Sequence, residues 1–402
     1  MLLKLWQTQE EVIMQNKLKF GIIGVGNMGT AHAKHLFESK IEGAVLTALC
    51  DTDIRVRERL SAQFIGIKVY ENHIDLLENS DVDCVIIATP HYAHPNIAVD
   101  CFKAGKNVLT EKPIGVLQTE IEKMISVAKE SGKVFGIMFN QRTNSLFKAA
   151  REFVKSGKLG EKKRLVWQIT NWYRTQSYYN SSSWRATYSG EGGGVLMNQA
   201  PHQLDLLQWI FGVPTSVFAN LKIAKYHDIE VEDDAELLFN YSDGSSAVFV
   251  TSTGESPGTN RLEISGSKGK IVLEEGRLKF FKLEQDERDF CFEKQEGFYD
   301  APYFCEEICE ENEPNGHIAI LQNFCNHILN GEELIASGFD GVYQSKMTAA
   351  AYLSHFKGER TSLDFKPKVF DKELKKRCKK TTKTVVNLDK NEPHQQRWQV
   401  RW

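Results

Sequence analysis

No apolar run approaches the length of a membrane span, which argues against an integral membrane helix. The N-terminus, Met1 to Lys17, has neither the long apolar stretch nor the small-residue cleavage site of a signal peptide. It reads as a short extra arm with Met14 as an alternative start, and the chain as cytoplasmic. An excess of one charge is missing too: the formal net charge is -3, so nucleic acid and acidic membranes are not expected partners. The basic cluster from Lys372 to Lys383 reads as a solvated tail or helix face. There is no internal repeat, no low-complexity block and no CxxC pair. The 8 cysteines are scattered, the pattern of reduced packing thiols. One segment brings Cys305, Cys309 and His317 close in sequence, and helical spacing would put both sulfurs on one face. It lacks the paired spacing of a structural zinc site, and no metal is expected.

What is present begins with length. A chain of 402 residues can bury two cores, and 41% apolar with 26% charged residues is ordinary for a globular protein. From Leu18 a short apolar run meets Gly24-Val-Gly26-Asn27-Met28-Gly29, and a helical pattern follows. Gly24 permits a tight turn, Gly26 a close approach of backbone to pyrophosphate, and Gly29 close helix–strand packing. The helix then points its free N–H groups at the phosphates. A second apolar run ends in Asp51, about 20 residues on, where a carboxylate accepts both ribose hydroxyls of NAD and repels the 2′-phosphate of NADP. Asp53 competes for that role. The cofactor is therefore expected to be NAD rather than NADP.

Further strands are expected at Val85 to Ala88, Val108 to Thr110 and Lys133 to Asn140, with a helix over Asn96 to Lys103. Strand and helix alternate at the spacing of a doubly wound parallel sheet. Ligands bind beyond the carboxyl ends of such strands, which nominates Thr89, Pro90, His94, Glu111, Lys112 and Asn140. After about Arg142 β-type runs dominate, with a strong hairpin signal at Tyr241-Ser-Asp243-Gly244 and a late helix from about Ser345 to His355. The second domain is expected to be α+β with a mainly antiparallel, open-faced sheet.

The glycine motif, Glu111-Lys-Pro113, Gly157-Lys-Leu-Gly-Glu161, Trp184-Arg185 with Gly192 to Gly212, and Tyr343 to Glu359 together resemble the Gfo/Idh/MocA oxidoreductases. The resemblance covers roughly Lys17 to Phe365. It implies a Rossmann domain over 17–141 and a substrate and oligomerisation domain over 142–365, and it leaves an arm over 1–16 and a tail over 366–402 outside. It further implies a nicotinamide cofactor, a sugar, glycoside or inositol substrate, and homodimers or homotetramers formed through the antiparallel sheet. The family's usual active site joins the lysine of Glu-Lys-Pro to an aspartate and a histidine spaced four apart. Here those positions hold Lys112, Asn198 and His202, so the aspartate is missing.

Within that resemblance His202 is the base for a substrate hydroxyl, because imidazole titrates near working pH. Pro201 would open its helix, where a missing N–H costs nothing. Lys112 would stabilise the developing alkoxide. Asn198 cannot titrate but can donate and accept hydrogen bonds, which suits orienting a hydroxyl. Gly192 to Gly194 would give the chain room to pass cofactor or substrate. Trp172, Tyr173, Arg174, Trp184 and Arg185 supply the aromatic faces and donors that a sugar site uses. The expected activity is NAD-dependent oxidation of a secondary hydroxyl, with the sugar 3-position as first choice. The alternatives are a glycosidase using transient oxidation by tightly held NAD, and a non-catalytic NAD-binding sensor.

Overall fold

The computed structural model describes residues 17–309 and 315–379. The expected arm over 1–16 and the tail beyond 379 lie outside the described residues. The chain divides into two compact units, one built from residues up to 143 together with 315–342, the other from 144–309 and 343–379.

The first unit holds six strands: β1 (Leu18–Ile23), β2 (Ala44–Cys50), β3 (Lys68–Tyr70), β4 (Cys84–Ile87), β5 (Asn107–Thr110) and β6 (Phe135–Ile137). All pair in parallel, in the order β3-β2-β1-β4-β5-β6. This is the doubly wound order, whose direction reverses between β1 and β4. Every residue of β4 is buried, as a strand covered on both faces must be. The strand expected over Lys133 to Asn140 is shorter, because Asn140–Thr143 turns into a 3-10 helix.

The helix Gly316–Asn330 also belongs to this unit, although the sequence reading gave it to the second domain. Its stripe of Ile320, Leu321, Phe324 and Cys325 is buried in the first core, with Phe324 edge-on to Phe20 at 6.4 Å. An apolar stripe shows that a helix packs but not against what.

The second unit is a nine-stranded sheet. Its strands are β7 (Lys162–Ile169), β8 (Ser216–Ile223), β9 (Glu232–Asn240), β10 (Ser246–Ser252), β11 (Asn260–Gly266), β12 (Gly269–Glu274), β13 (Arg277–Leu283), β14 (Tyr303–Cys309) and β15 (Thr361–Ser362). The order is β14-β13-β12-β11-β7-β10-β9-β8-β15, antiparallel except for the β7–β10 pair. The Tyr241–Gly244 turn forms as expected, with Gly244 at φ +83° and Asp243 accepting from Ser245 N at 3.0 Å. In β7 the alternation is complete: Leu165, Trp167 and Ile169 are buried, Arg164, Val166 and Gln168 exposed. Trp167 packs between Phe147 and Phe249, each aromatic contributing about 1.5–3 kcal/mol by burial.

Two expectations need correction here. The Cys305 segment is strand β14, not a helix, so the spacing argument for two sulfurs on one helical face does not apply. The segment beginning the supposed tail is a helix, Pro367–Cys378, with Phe370 and Leu374 buried. Their i,i+4 spacing inside a lysine-rich stretch was the signal, masked by charge.

Candidate functional site

In the first unit the glycine loop closes on the reversal point of the sheet. Gly24 sits at φ +84°, and a Cβ there would lie 2.7 Å from Thr89 N. A Cβ on Gly26 would meet nothing within 4 Å, leaving open space in front of the loop. The helix Asn27–Phe37 starts at Gly26 with no side-chain cap and no acidic residue in its first turn. Its opening N–H groups thus meet no competing carboxylate, as an anion site requires.

Asp51 is clamped at the end of β2. Its Oδ2 accepts from Val25 N at 2.8 Å and its Oδ1 from Asp53 N at 3.0 Å. Each carboxylate oxygen keeps a second acceptor position, the geometry a vicinal diol needs. Asp53 is committed elsewhere: it caps the helix Ile54–Gln63 through Arg55 N and pairs with the Arg55 guanidinium. Those hydrogen bonds to Arg55 hold its carboxyl down to about 2. Thr89 Oγ1 and Asn140 Oδ1 are buried with no hydrogen-bond partner among the described residues. Orphaned polar atoms, Thr89 beside the open glycine loop and Asn140 beyond the carboxyl end of β6, fit a dinucleotide, and these residues would hold it. His94 does not join them. Its ring braces two carbonyls, Nδ1 to Pro113 O at 2.8 Å and Nε2 to Thr89 O at 2.7 Å, which leaves neither nitrogen for a cofactor.

Glu111 and Lys112 follow β5 at the same carboxyl edge. Glu111 is buried and bonds His32 Nε2 at 2.8 Å, while its Oε2 accepts from Lys112 N at 3.2 Å. Burial would raise its pKa, but the His32 hydrogen bond and nearby charge hold it down to about 2. His317, whose ring lies 5.8 Å from that of His32, is pushed down to about 4, chiefly by burial. The sequence reading passed over His32 and noted His317 only beside Cys305 and Cys309, since nothing local marks either histidine as a neighbour of Glu111.

In the second unit Pro201 does open the helix Pro201–Phe211, with His202 next and Leu204, Leu207 and Ile210 buried. Asn198 ends the short turn Val195–Asn198, so two helical pieces flank Gln199 and Ala200. Two of the three glycines before it, Gly193 and Gly194, make room for protein. A Cβ on Gly193 would lie 1.9 Å from Tyr352 Oη, and one on Gly194 would lie 1.9 Å from Glu232 O. Glu232, fully buried, accepts from Gly194 N and Leu196 N, each at 3.0 Å, and so anchors the turn that carries Asn198.

Around Asn198 the structure gathers Tyr178, Arg185 and Glu191. Asn198 Nδ2 donates to Glu191 Oε1 and, at 3.2 Å, to Tyr178 Oη. Arg185 Nη1 donates to the same phenol oxygen at 2.6 Å and lies 3.5 Å from Glu191. The guanidinium of Arg185 covers the rings of Tyr178 and Trp184 at 4.4 and 4.9 Å. Arg174 is held by the carbonyls of Trp172 and Tyr173, and Tyr173 itself is 46% exposed. Glu191 and Tyr178 escaped the sequence reading, because nothing local marks a glutamate ahead of three glycines as a polar partner.

Comparison with known proteins agrees with both units. Residues 18–139 match the family model described as an oxidoreductase family with NAD-binding Rossmann fold, and residues 147–272 match the GFO/IDH/MocA C-terminal domain. Myo-inositol 2-dehydrogenase of Thermotoga maritima is 27% identical over 334 residues, 81% of this chain and 92% of that protein. The NAD(+)-dependent scyllo-inositol 2-dehydrogenase of Bacillus subtilis is 24% identical, covering 88% and 98%. The WlbA dehydrogenase from Bordetella pertussis, solved with NADH and UDP-GlcNAcA, shares the fold with a TM-score of 0.73 at 23% identity, covering 87% and 100%.

Proposed function

The chain belongs to the GFO/IDH/MocA family of oxidoreductases, with an NAD-binding Rossmann domain, and on that premise we propose that it oxidises a secondary hydroxyl of a sugar, glycoside or inositol. The sugar 3-position is our first choice. One observation carries the reading: Lys112 follows β5 at the same carboxyl edge as the open glycine loop, clamped Asp51 and orphaned Thr89 and Asn140. An ammonium beside a dinucleotide cradle is the arrangement that alcohol oxidation needs.

NAD, when bound, supplies a nicotinamide that accepts the hydride. The chain's residues do the rest. His202, as neutral imidazole, takes the hydroxyl proton, and Lys112 stabilises the negative charge left on oxygen. Asn198 orients the hydroxyl. Arg174, Trp184 and Tyr173 contact the rest of the polyol, where aromatic faces pack on C–H surfaces. Asp51 holds the ribose and selects NAD over NADP.

The outer face of the second sheet supports self-association. Phe218, Leu238, Val248 and Val166 lie in one register row across four strands, and Phe218, Leu238 and Val166 are 43, 39 and 38% exposed. We assign this face to a homodimer or homotetramer. No helix among the described residues is long and apolar enough to cross a membrane, and we place the protein in the cytoplasm.

The test is a panel of sugars, glycosides and inositols followed by nicotinamide absorbance. His202→Ala and Lys112→Met should each lower kcat/KM by about a hundredfold or more on a substrate the wild type oxidises. Near-normal turnover by His202→Ala would end the assignment.

A further inference from the structure

This inference rests on the reading above and concerns the aspartate that the chain lacks. The Asn198 amide nitrogen faces two acceptors inside the second unit, Glu191 Oε1 and, at 3.2 Å, a Tyr178 Oη that also receives Arg185 Nη1 and Gln199 Nε2. A primary amide has two N–H donors, so any further bond Asn198 makes is accepted through Oδ1. Flipping the amide would set Oδ1 against a carboxylate, so the surroundings themselves fix its orientation.

Glu191 is only 1% exposed and is tied down on both oxygens. Its Oε2 accepts from Ala186 N at 2.6 Å, and Ala186 sits in the left-handed region at φ +55°, a position a non-glycine residue keeps only when its surroundings hold it. Arg185 faces Oε1 at 3.5 Å and also donates to Tyr178. Arg185 and Tyr178 thus both bear on the pair. A buried carboxylate is costly unless it is paired and hydrogen-bonded, and here Ala186 N, the Asn198 amide and the Arg185 guanidinium meet that need.

We propose that Glu191 is a positioning residue that carries, one side chain further out, the negative charge an aspartate would bring to position 198. It holds Asn198 so that the amide oxygen accepts from the substrate hydroxyl. The acid and the amide have in effect exchanged places, which means that exchanging them back should work.

Three variants test this: Glu191→Gln, Asn198→Asp and the double exchange. Asn198→Asp puts two carboxylates in contact, so one is kept protonated and its folded pKa rises. The stability that this proton brings is present below the ordinary carboxylate pKa and is lost as pH rises, so the melting midpoint should drop more at about pH 8 than at about pH 5. Each single variant should lose about tenfold or more in kcat/KM, with a new ionisation in the pH profile of Asn198→Asp. The double variant should return to within about threefold of wild type and lose the added pH dependence. Losses that simply multiply in the double variant overturn the proposal. So does recovery of the midpoint without recovery of kcat/KM, which would make Glu191 structural only. A wild type that reduces NAD with no polyol defeats the functional reading instead. The exchange then stands or falls on the melting curves, and an Asn198→Asp midpoint that shifts equally at both pH values defeats it.

Discussion

Tyr352 donates its hydroxyl to Glu232 Oε1 at 2.7 Å across 120 residues of sequence. With Gly194 N and Leu196 N on the same carboxylate, a residue of β9 and one of a late helix together fix the turn that presents Asn198. All the donors are neutral, so burial dominates and pushes Glu232 up to about 7.

That shift has a sign. A carboxyl whose folded pKa exceeds its unfolded value stabilises the fold below the unfolded value, and the contribution fades as pH rises through the folded one. From about 4.5 to about 7 the wild type should lose on the order of 3 kcal/mol from this group. Urea unfolding at both ends of that window checks it. Glu232→Gln should flatten this part of the curve, and an unchanged slope would show that Glu232 is not the group responsible.

Asp51 makes a second prediction. Its carboxylate satisfies Val25 N and Asp53 N, so Asp51→Ala orphans two backbone donors at the mouth of the glycine loop. Leaving a buried donor unpaired costs about 1–3 kcal/mol, so the melting midpoint should fall. Removing the negative charge also removes the repulsion of a 2′-phosphate. The ratio of NAD to NADP kcat/KM should shift toward NADP by about tenfold or more. An unchanged ratio would mean that Asp51 serves the loop alone.

The parts of this protein that could be read from sequence are those whose signals are local. The strand–glycine–helix motif, the Asp243-Gly244 hairpin and Pro201 at a helix start each depend on a few adjacent residues. What was hidden depends on partners distant along the chain. Gly193 and Gly194 look like slack for a ligand until Tyr352 and Glu232 are seen filling the space. His94 looks like a ligand-facing residue until both ring nitrogens are found on carbonyls. Glu191, His32 and the helix Gly316–Asn330 carry no local mark of what they pack against. Periodicity shows which face is buried, and only the fold says by what.

The histidine pair beside Lys112 gives the last prediction. His317 is neutral in the fold, held down to about 4 chiefly by burial, and Glu111 is held at about 2. Both groups bind protons more weakly folded than unfolded, so both contribute stability that is lost on acidification. The His317 contribution is complete above about pH 6.5 and drains away toward pH 4, on the order of 3 kcal/mol, and that of Glu111 follows below about 4.5. His317→Phe keeps a ring against His32 and should remove the upper step while leaving the lower one. His32→Leu strands the Glu111 carboxylate in a buried site, a loss of about 3–5 kcal/mol. Denaturant unfolding of the three proteins from about pH 7 to about pH 2 separates these effects. A His317→Phe curve parallel to the wild type would place the acid sensitivity on other groups.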